Sequence, residues 1–245
     1  MLELETANST RVGANVAALD LITSELTSAE RAIVADYWWQ RAEGEMTSWV
    51  GFGHVLADLR ALGANAAVLE LAERAVADEW RHAYWCRDWA RAFGRTVPDE
   101  VAPRTTRPVS FSGASEHLNR LLRIALCCFT ESVGCFVLRE ARPHIRWPLL
   151  RRQNQRHLAD ELQHSRVGWG YLSSVAGSDK LALAQWIPRL LELLPEACVE
   201  GPEADHEPLV AWGYFTPRLL ARAHEQALNR VIVPGLEHLG LRGLP

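Results

Sequence analysis

The chain has 245 residues, 48% of them hydrophobic, and a formal net charge of -4. That content is ample for a sizeable core, and the scattered placement of the basic residues excludes the basic stripe that tracks nucleic acid. Of the 26 basic residues only Lys180 is a lysine, a bias that carries no functional weight.

The first 18 residues carry Glu3 and Glu5 and lack a basic segment followed by an apolar run, so no signal peptide is expected. No window holds 18 uninterrupted apolar residues, which argues against a helix spanning a membrane. The five cysteines form no C-x-x-C pair. A reduced, cytoplasmic protein with small buried thiols is the simplest reading.

In chain order, a short helix is expected around Val12 to Leu26. Thr27-Ser28-Ala29-Glu30 has the form of a capping box, and the helix it opens runs to Leu62 before Gly63. Its apolar stripe passes through Val34, Trp38, Ala42, Trp49, Phe52, Leu56 and Leu59, and Glu45 interrupts it. A second helix starts after Asn65 and ends near Phe93-Gly94. Its stripe is interrupted by Glu79 and His82. Pro98, Pro103 and Pro108 mark residues 95 to 113 as a long connection.

A third helix begins near Ser112 to Ser115, carries Leu121, Ile124, Cys127, Cys128, Glu131, Gly134, Cys135 and Leu138 on one side, and stops before Pro143. A fourth runs from Pro148, a residue suited to a helix start, to Ala176. Beyond it, Ser178 to Leu194 reads as one helix kinked at Pro188, residues 195 to 209 as an acidic loop, and Thr216 to Val233 as a last helix. Strand-like alternation is nowhere convincing. The expected architecture is all-α: a single domain, with a four-helix core over residues 28 to 176 and accessory helices over 177 to 245.

The core helices share a repeated pattern. Glu45 precedes Asp78-Glu79-Trp80-Arg81-His82, and Glu131 precedes Asp160-Glu161-Leu162-Gln163-His164. The intervals from Glu to Glu are 34 and 30 residues. At about 1.5 Å per residue, each interval returns an antiparallel chain to the same height, so four carboxylates and two imidazoles meet mid-bundle. Carboxylates bridge two cations while each terminal His holds one, which suits a pair of first-row transition metals. Asp78 and Asp160 are placed to accept the second ring N–H of a metal-bound His from a facing helix. His157 shares the side of its helix with Glu161 and His164. It reads either as a further ligand or as a histidine outside the ligand set, one turn before Glu161.

Three E-x-x-H matches occur, and Glu203 to His206, in the acidic loop, reads as accidental. Glu43 competes with Glu45, and Glu140 with Glu131, but Glu45 and Glu131 lie on the better apolar lines. Cys127, Cys128, Gly134 and Cys135 surround Glu131 with small side chains, leaving either room for a substrate or close helix packing. The tryptophans, among them Trp38, Trp49 and Trp89, are expected mostly in the core.

On these residues the chain resembles the ferritin-like di-iron carboxylate superfamily over roughly residues 28 to 176. The H-x-x-x-E-x-x-H spacing of His157, Glu161 and His164 is similar to that of the para-aminobenzoate N-oxygenase family. The resemblance implies a ferritin-like antiparallel bundle and a ligand set of Glu45, Glu79, His82, Glu131, His157, Glu161 and His164 around two iron ions. Manganese or a mixed manganese/iron pair is compatible with the same donors. It further implies O2 activation and oxygen-atom transfer to a small organic substrate, such as oxidation of an arylamine towards the hydroxylamine, nitroso or nitro level. A separate electron donor is expected, because no nucleotide-binding glycine pattern is present. A monomer or homodimer without nucleic-acid or membrane partners completes this reading; the alternative is a ferritin- or rubrerythrin-like metal-oxidising or storage protein.

Overall fold

The computed structural model describes residues 25 to 194 and 206 to 241. These residues are helical and contain no strand. Eight α-helices follow one another: α1 (Ser28–Ala61), α2 (Ala66–Ala92), α3 (Glu116–Ala141), α4 (Pro148–Ser173), α5 (Gly177–Ala184), α6 (Ile187–Glu192), α7 (Pro217–Ala227) and α8 (Val233–His238). A 3-10 helix, Glu207–Trp212, precedes α7, and a π-helical turn, Leu228–Ile232, joins α7 to α8. The helix expected over residues 12 to 26 lies almost wholly outside the described residues, as do residues 195 to 205 of the acidic loop.

Local chemistry sets the helix starts. The Thr27 N–H donates to Glu30 Oε2 at 2.7 Å and the Glu30 N–H donates to Thr27 Oγ1 at 3.2 Å, a reciprocal capping box. Asn65 Oδ1 accepts from the Val68 N–H at 3.0 Å, and Ser115 Oγ from the Leu118 N–H at 3.2 Å. Gly63 and Gly94 take positive φ just past the ends of α1 and α2, where a residue with Cβ is strained.

Two compact units are distinguished by packing, one formed by Met1–Thr47 and Trp80–Arg104, the other by Ser48–Glu79 and Thr105–Pro245. In the first, Arg95 pairs with Asp36, and Arg104 donates its backbone N–H to Thr47 Oγ1 at 2.9 Å and its guanidinium to the Gln40 carbonyl. These bonds tie the proline-containing connection to α1. Trp38 and Trp89, both buried, meet with ring centroids 6.0 Å apart.

In the second unit, α3 packs along α4. Gly168 touches Ile124 and Cys128, whereas His164 approaches Glu131, so rising numbers on α4 meet falling numbers on α3 and the pair is antiparallel. The core draws Phe52, Val55 and Leu59 from α1, Val68, Ala72 and Ala75 from α2, and Leu121, Ile124, Cys128, Phe129, Val167 and Leu172 from α3 and α4. Leu183, Ile187, Leu190, Ala223, Ala227 and Ile232 extend it from the later helices.

Two expectations are corrected. The segment after Gly177 is two helices rather than one kinked helix: the chain turns at Gln185-Trp186, and Pro188 sits in the first turn of α6, where its missing N–H leaves no bond unmade. Trp49 is exposed, although Met46 and Phe52 to either side of it are buried. Among the described residues, α3 is the one helix long and apolar enough to cross a membrane by length and composition, and 61% of that stretch is buried inside the fold. Unbroken runs miss it because Arg123 and Glu131 interrupt the apolar sequence.

Candidate metal centre

Within the second unit, Glu79, Glu131, Glu161 and His164 each offer one donor atom, and all four atoms lie within 4.8 Å of one another. They come from α2, α3 and α4. Each lies where helical periodicity demands an apolar residue, so folding the core drives the polar groups together. Glu79, Glu161 and His164 are buried, and Glu131 is nearly so, with 11% of its side chain exposed. Such burial is costly for isolated carboxylates and is supportable only with compensating charge.

His164 is the hub. Its Nδ1 lies 2.8 Å from Glu79 Oε1, 3.2 Å from Glu161 Oε2 and 3.9 Å from Glu131 Oε2. Its Nε2 faces outward from that group, 3.3 Å from Asp78 Oδ2. The edge of the ring packs on Phe52, with centroids 5.2 Å apart. Burial lowers the His164 pKa, but hydrogen bonds to Asp78, Glu161 and Glu79 outweigh it and raise the value far above 6.5. Burial, followed by the charge of Glu161, raises Glu131 well above the usual carboxylate range. Glu161 behaves oppositely: burial pushes it up, but hydrogen bonds from Glu131, His157 and His164 hold it well below 4.5. Without a bound cation, these directions favour a proton on Glu131 and on His164 beside an ionised Glu161.

The donor set can hold a metal ion: three carboxylates and one imidazole crowd a site too dry to solvate their charge, and a cation bound there would take the place of the protons. Buried His157 lies beside this group, with Nε2 2.8 Å from Glu161 Oε1. Asp160 is half-buried on the same helix.

Glu45 and His82 belong to the first unit. There Glu45 Oε1 accepts from the Arg41 guanidinium at 3.0 Å and lies 3.9 Å from Cys86 Sγ, while His82 is fully buried with its ring 5.4 Å from that of Trp85. The rival residues are engaged elsewhere: Glu43 lies 4.0 Å from Arg104, and Glu140 pairs with Arg222 at 2.9 Å. His206, of the third E-x-x-H match, stacks on Tyr214.

Among the small residues, Cys128 and Cys135 are buried and Cys127 partly so. Burial and then the Glu131 charge push the Cys127 and Cys128 thiols well above their ordinary range; burial and then Glu161 push Cys135 up to about 12. None of the three is a ready thiolate. The two readings of these positions divide by residue. Cys128 is pressed against Gly168, which is close packing, whereas a Cβ added at Gly134 meets no atom within 4 Å.

Two neighbours are not singled out by spacing alone. Ser132 Oγ donates to the Cys128 carbonyl at 2.7 Å and accepts from the Trp169 indole at 3.2 Å. Asn154 is buried in line with Glu161, seven residues earlier on α4, and its polarity on a buried stripe is the signal that finds it.

Comparison with protein-family models, with characterised proteins and with solved structures finds no match for this chain.

Proposed function

We propose that this protein is a non-haem di-iron oxygenase acting on a small organic substrate, with an arylamine nitrogen as the first acceptor to test. The observation that carries the reading is the convergence of Glu79, Glu131, Glu161 and His164, buried, from three helices. Two iron ions, or manganese in one or both places, are the proposed cofactors, and Glu45, His82 and His157 complete the proposed ligand set on the strength of the repeated sequence motif. The fold proposed for the core is a ferritin-like bundle.

Iron bound there supplies O2 activation and oxygen-atom transfer. The chain's own residues do the rest. Asp78 accepts from Nε2 of His164 and so leaves Nδ1, the nitrogen that faces the carboxylates, for the cation. Glu131 gives up its proton when a cation takes over the role of that proton beside Glu161. Phe52 covers the His164 ring and keeps water from it. Electrons come from a separate donor or from the substrate.

The test is metal content after anaerobic reconstitution with Fe(II), followed by O2 consumption, for the wild type, Glu161→Ala and His157→Ala. About two irons per chain, O2 uptake that Glu161→Ala abolishes, and oxidation of an arylamine support the reading. Iron taken up far beyond two per chain, without substrate oxidation, favours metal storage instead. A chain that holds no metal refutes both.

A further inference from the structure

We propose that Asn154 is a substrate-recognition residue, whose side-chain oxygen accepts a hydrogen bond from a donor group at the end of the substrate remote from the carboxylate cluster. The inference rests on the functional reading above and adds to it the class of molecule that fits: a small, uncharged compound with an N–H or O–H group opposite its reacting end.

Asn154 is only 6% exposed, and its Oδ1 is buried without a hydrogen-bond partner among the described residues. Buried amides ordinarily do not stand this way. Asn119, the other buried asparagine among the described residues, shows the usual arrangement: its Oδ1 accepts from the Phe111 N–H at 2.8 Å, and its Nδ2 donates to the Ala114 and Ser115 carbonyls at 3.0 and 3.2 Å. Asn119 closes a turn. Asn154 closes nothing, and its acceptor is left for something outside the chain.

Its position says what that is. Seven residues separate Asn154 from Glu161 on α4, which places the two within about 20° around the helix and roughly 10 Å apart along it, with His157 between them. The antiparallel partner α3 supplies the space. Going from Glu131 to Gly134 on α3 moves along the bundle in the direction that leads from Glu161 to Asn154 on α4, and Gly134 has open space where a side chain would stand. A one-ring molecule with its reacting atom at Glu131 and Glu161 extends past Gly134 towards the level of Asn154. A neutral amide oxygen there selects a donor. The lone pairs of that oxygen repel a carboxylate, and the three glutamates further disfavour an anion.

The experiment uses two probes of equal shape, 4-aminobenzyl alcohol and 4-ethylaniline, which differ by a hydroxyl in place of a methyl. Their dissociation constants are measured by calorimetry or ligand-observed NMR on the full chain, and the readout is their ratio within each variant, which is insensitive to the fraction of protein that is folded. The wild type is expected to prefer the alcohol about tenfold. Asn154→Leu removes the preference while leaving ethylaniline affinity in place, and Asn154→Asp, which keeps the acceptor, retains it. A wild-type ratio within twofold, a ratio unchanged in Asn154→Leu, or no binding of either probe overturns the proposal. Metal content is measured on the same samples, and the ratio is also taken on metal-free protein: a preference that persists there in a chain unable to hold metal sinks the oxygenase reading alone.

Discussion

Gly168 on α4 lies so close to Cys128 on α3 that a Cβ built on the glycine stands 2.2 Å from the Cys128 Cβ and 2.9 Å from the Ile124 carbonyl oxygen. Neither obstacle is the movable end of a side chain. Gly168→Ala must therefore push the two helices apart, and a loss of about 2 to 3 kcal/mol in denaturant unfolding is expected. Cys128→Ala does not rescue it, because the clash is with Cβ. Gly134→Ala, by contrast, adds a methyl to open space in a helix and is expected to raise stability by about 0.5 to 1 kcal/mol. Equal effects at the two glycines would contradict this packing.

Asp78→Asn tests the orientation of His164. The substitution keeps the shape but weakens the acceptor facing Nε2, so divalent-metal affinity is expected to fall about 10- to 100-fold with the fold intact. Competition with a chromophoric chelator measures it, and an unchanged affinity would show that Asp78 does not tune the ligand.

The pH dependence of the metal-free protein follows from the same groups. His164 is raised from 6.5, so its stabilisation is fully present below that value and is lost as pH climbs towards the folded-state value. Glu131, raised from 4.5 by burial and then by Glu161, acts in the same sense from a lower starting point. Glu161 is held below 4.5 against burial by bonds from Glu131, His157 and His164, so its contribution is present above 4.5 and lost as pH falls through its folded value. The Tm without metal is thus expected to peak near pH 4.5, where the gain from Glu161 levels off and the loss from Glu131 sets in, and to decline towards about pH 9. Metal binding expels protons from Glu131 and His164, so the stabilisation gained on adding saturating divalent metal should grow over the same range. A gain independent of pH would rule out proton displacement.

Asp58 accepts two bonds from Arg123, at 2.7 and 2.9 Å, and joins the C-terminal part of α1 to α3. Both side chains are largely buried. Asp58→Ala leaves the Arg123 guanidinium only its longer contacts with exposed Glu116 and the Val109 carbonyl, at 3.5 and 3.4 Å, and is expected to cost about 3 kcal/mol, whereas the double change Asp58→Leu with Arg123→Leu recovers most of it. Chemical denaturation of the wild type, Asp58→Leu, Arg123→Leu and the double variant closes the cycle.

Much of this arrangement is legible in the sequence because it is written in local chemistry. Thr27 with Glu30, Asn65, Ser115 and Pro148 mark helix starts within a residue or two, each by filling or removing an N–H that a helix start leaves unpaired. Glu79, Glu131, Glu161 and His164 stand out as polar residues on otherwise apolar lines. What escapes is decided by partners distant in the chain. Trp186 packs edge-on against Phe111, and the chain turns there instead of at Pro188. At the far end the Val233 N–H reaches back five residues to the Leu228 carbonyl, widening one turn just before Pro234, which has no N–H to give. Trp49 illustrates a third cause, since a stripe extended along a helix of 34 residues drifts off the buried line.

The four converging donors are supplied by positions 79, 131, 161 and 164, so only the last two are neighbours along the chain. A partly folded polypeptide offers a cation one E-x-x-H pair at a time, each a weak chelate. A tight grip would exist only after α2, α3 and α4 have docked with the correct register. If a cation binds as proposed, its retention inspects the finished topology, and a misregistered copy stays in the metal-free pool, where it is the less stable species.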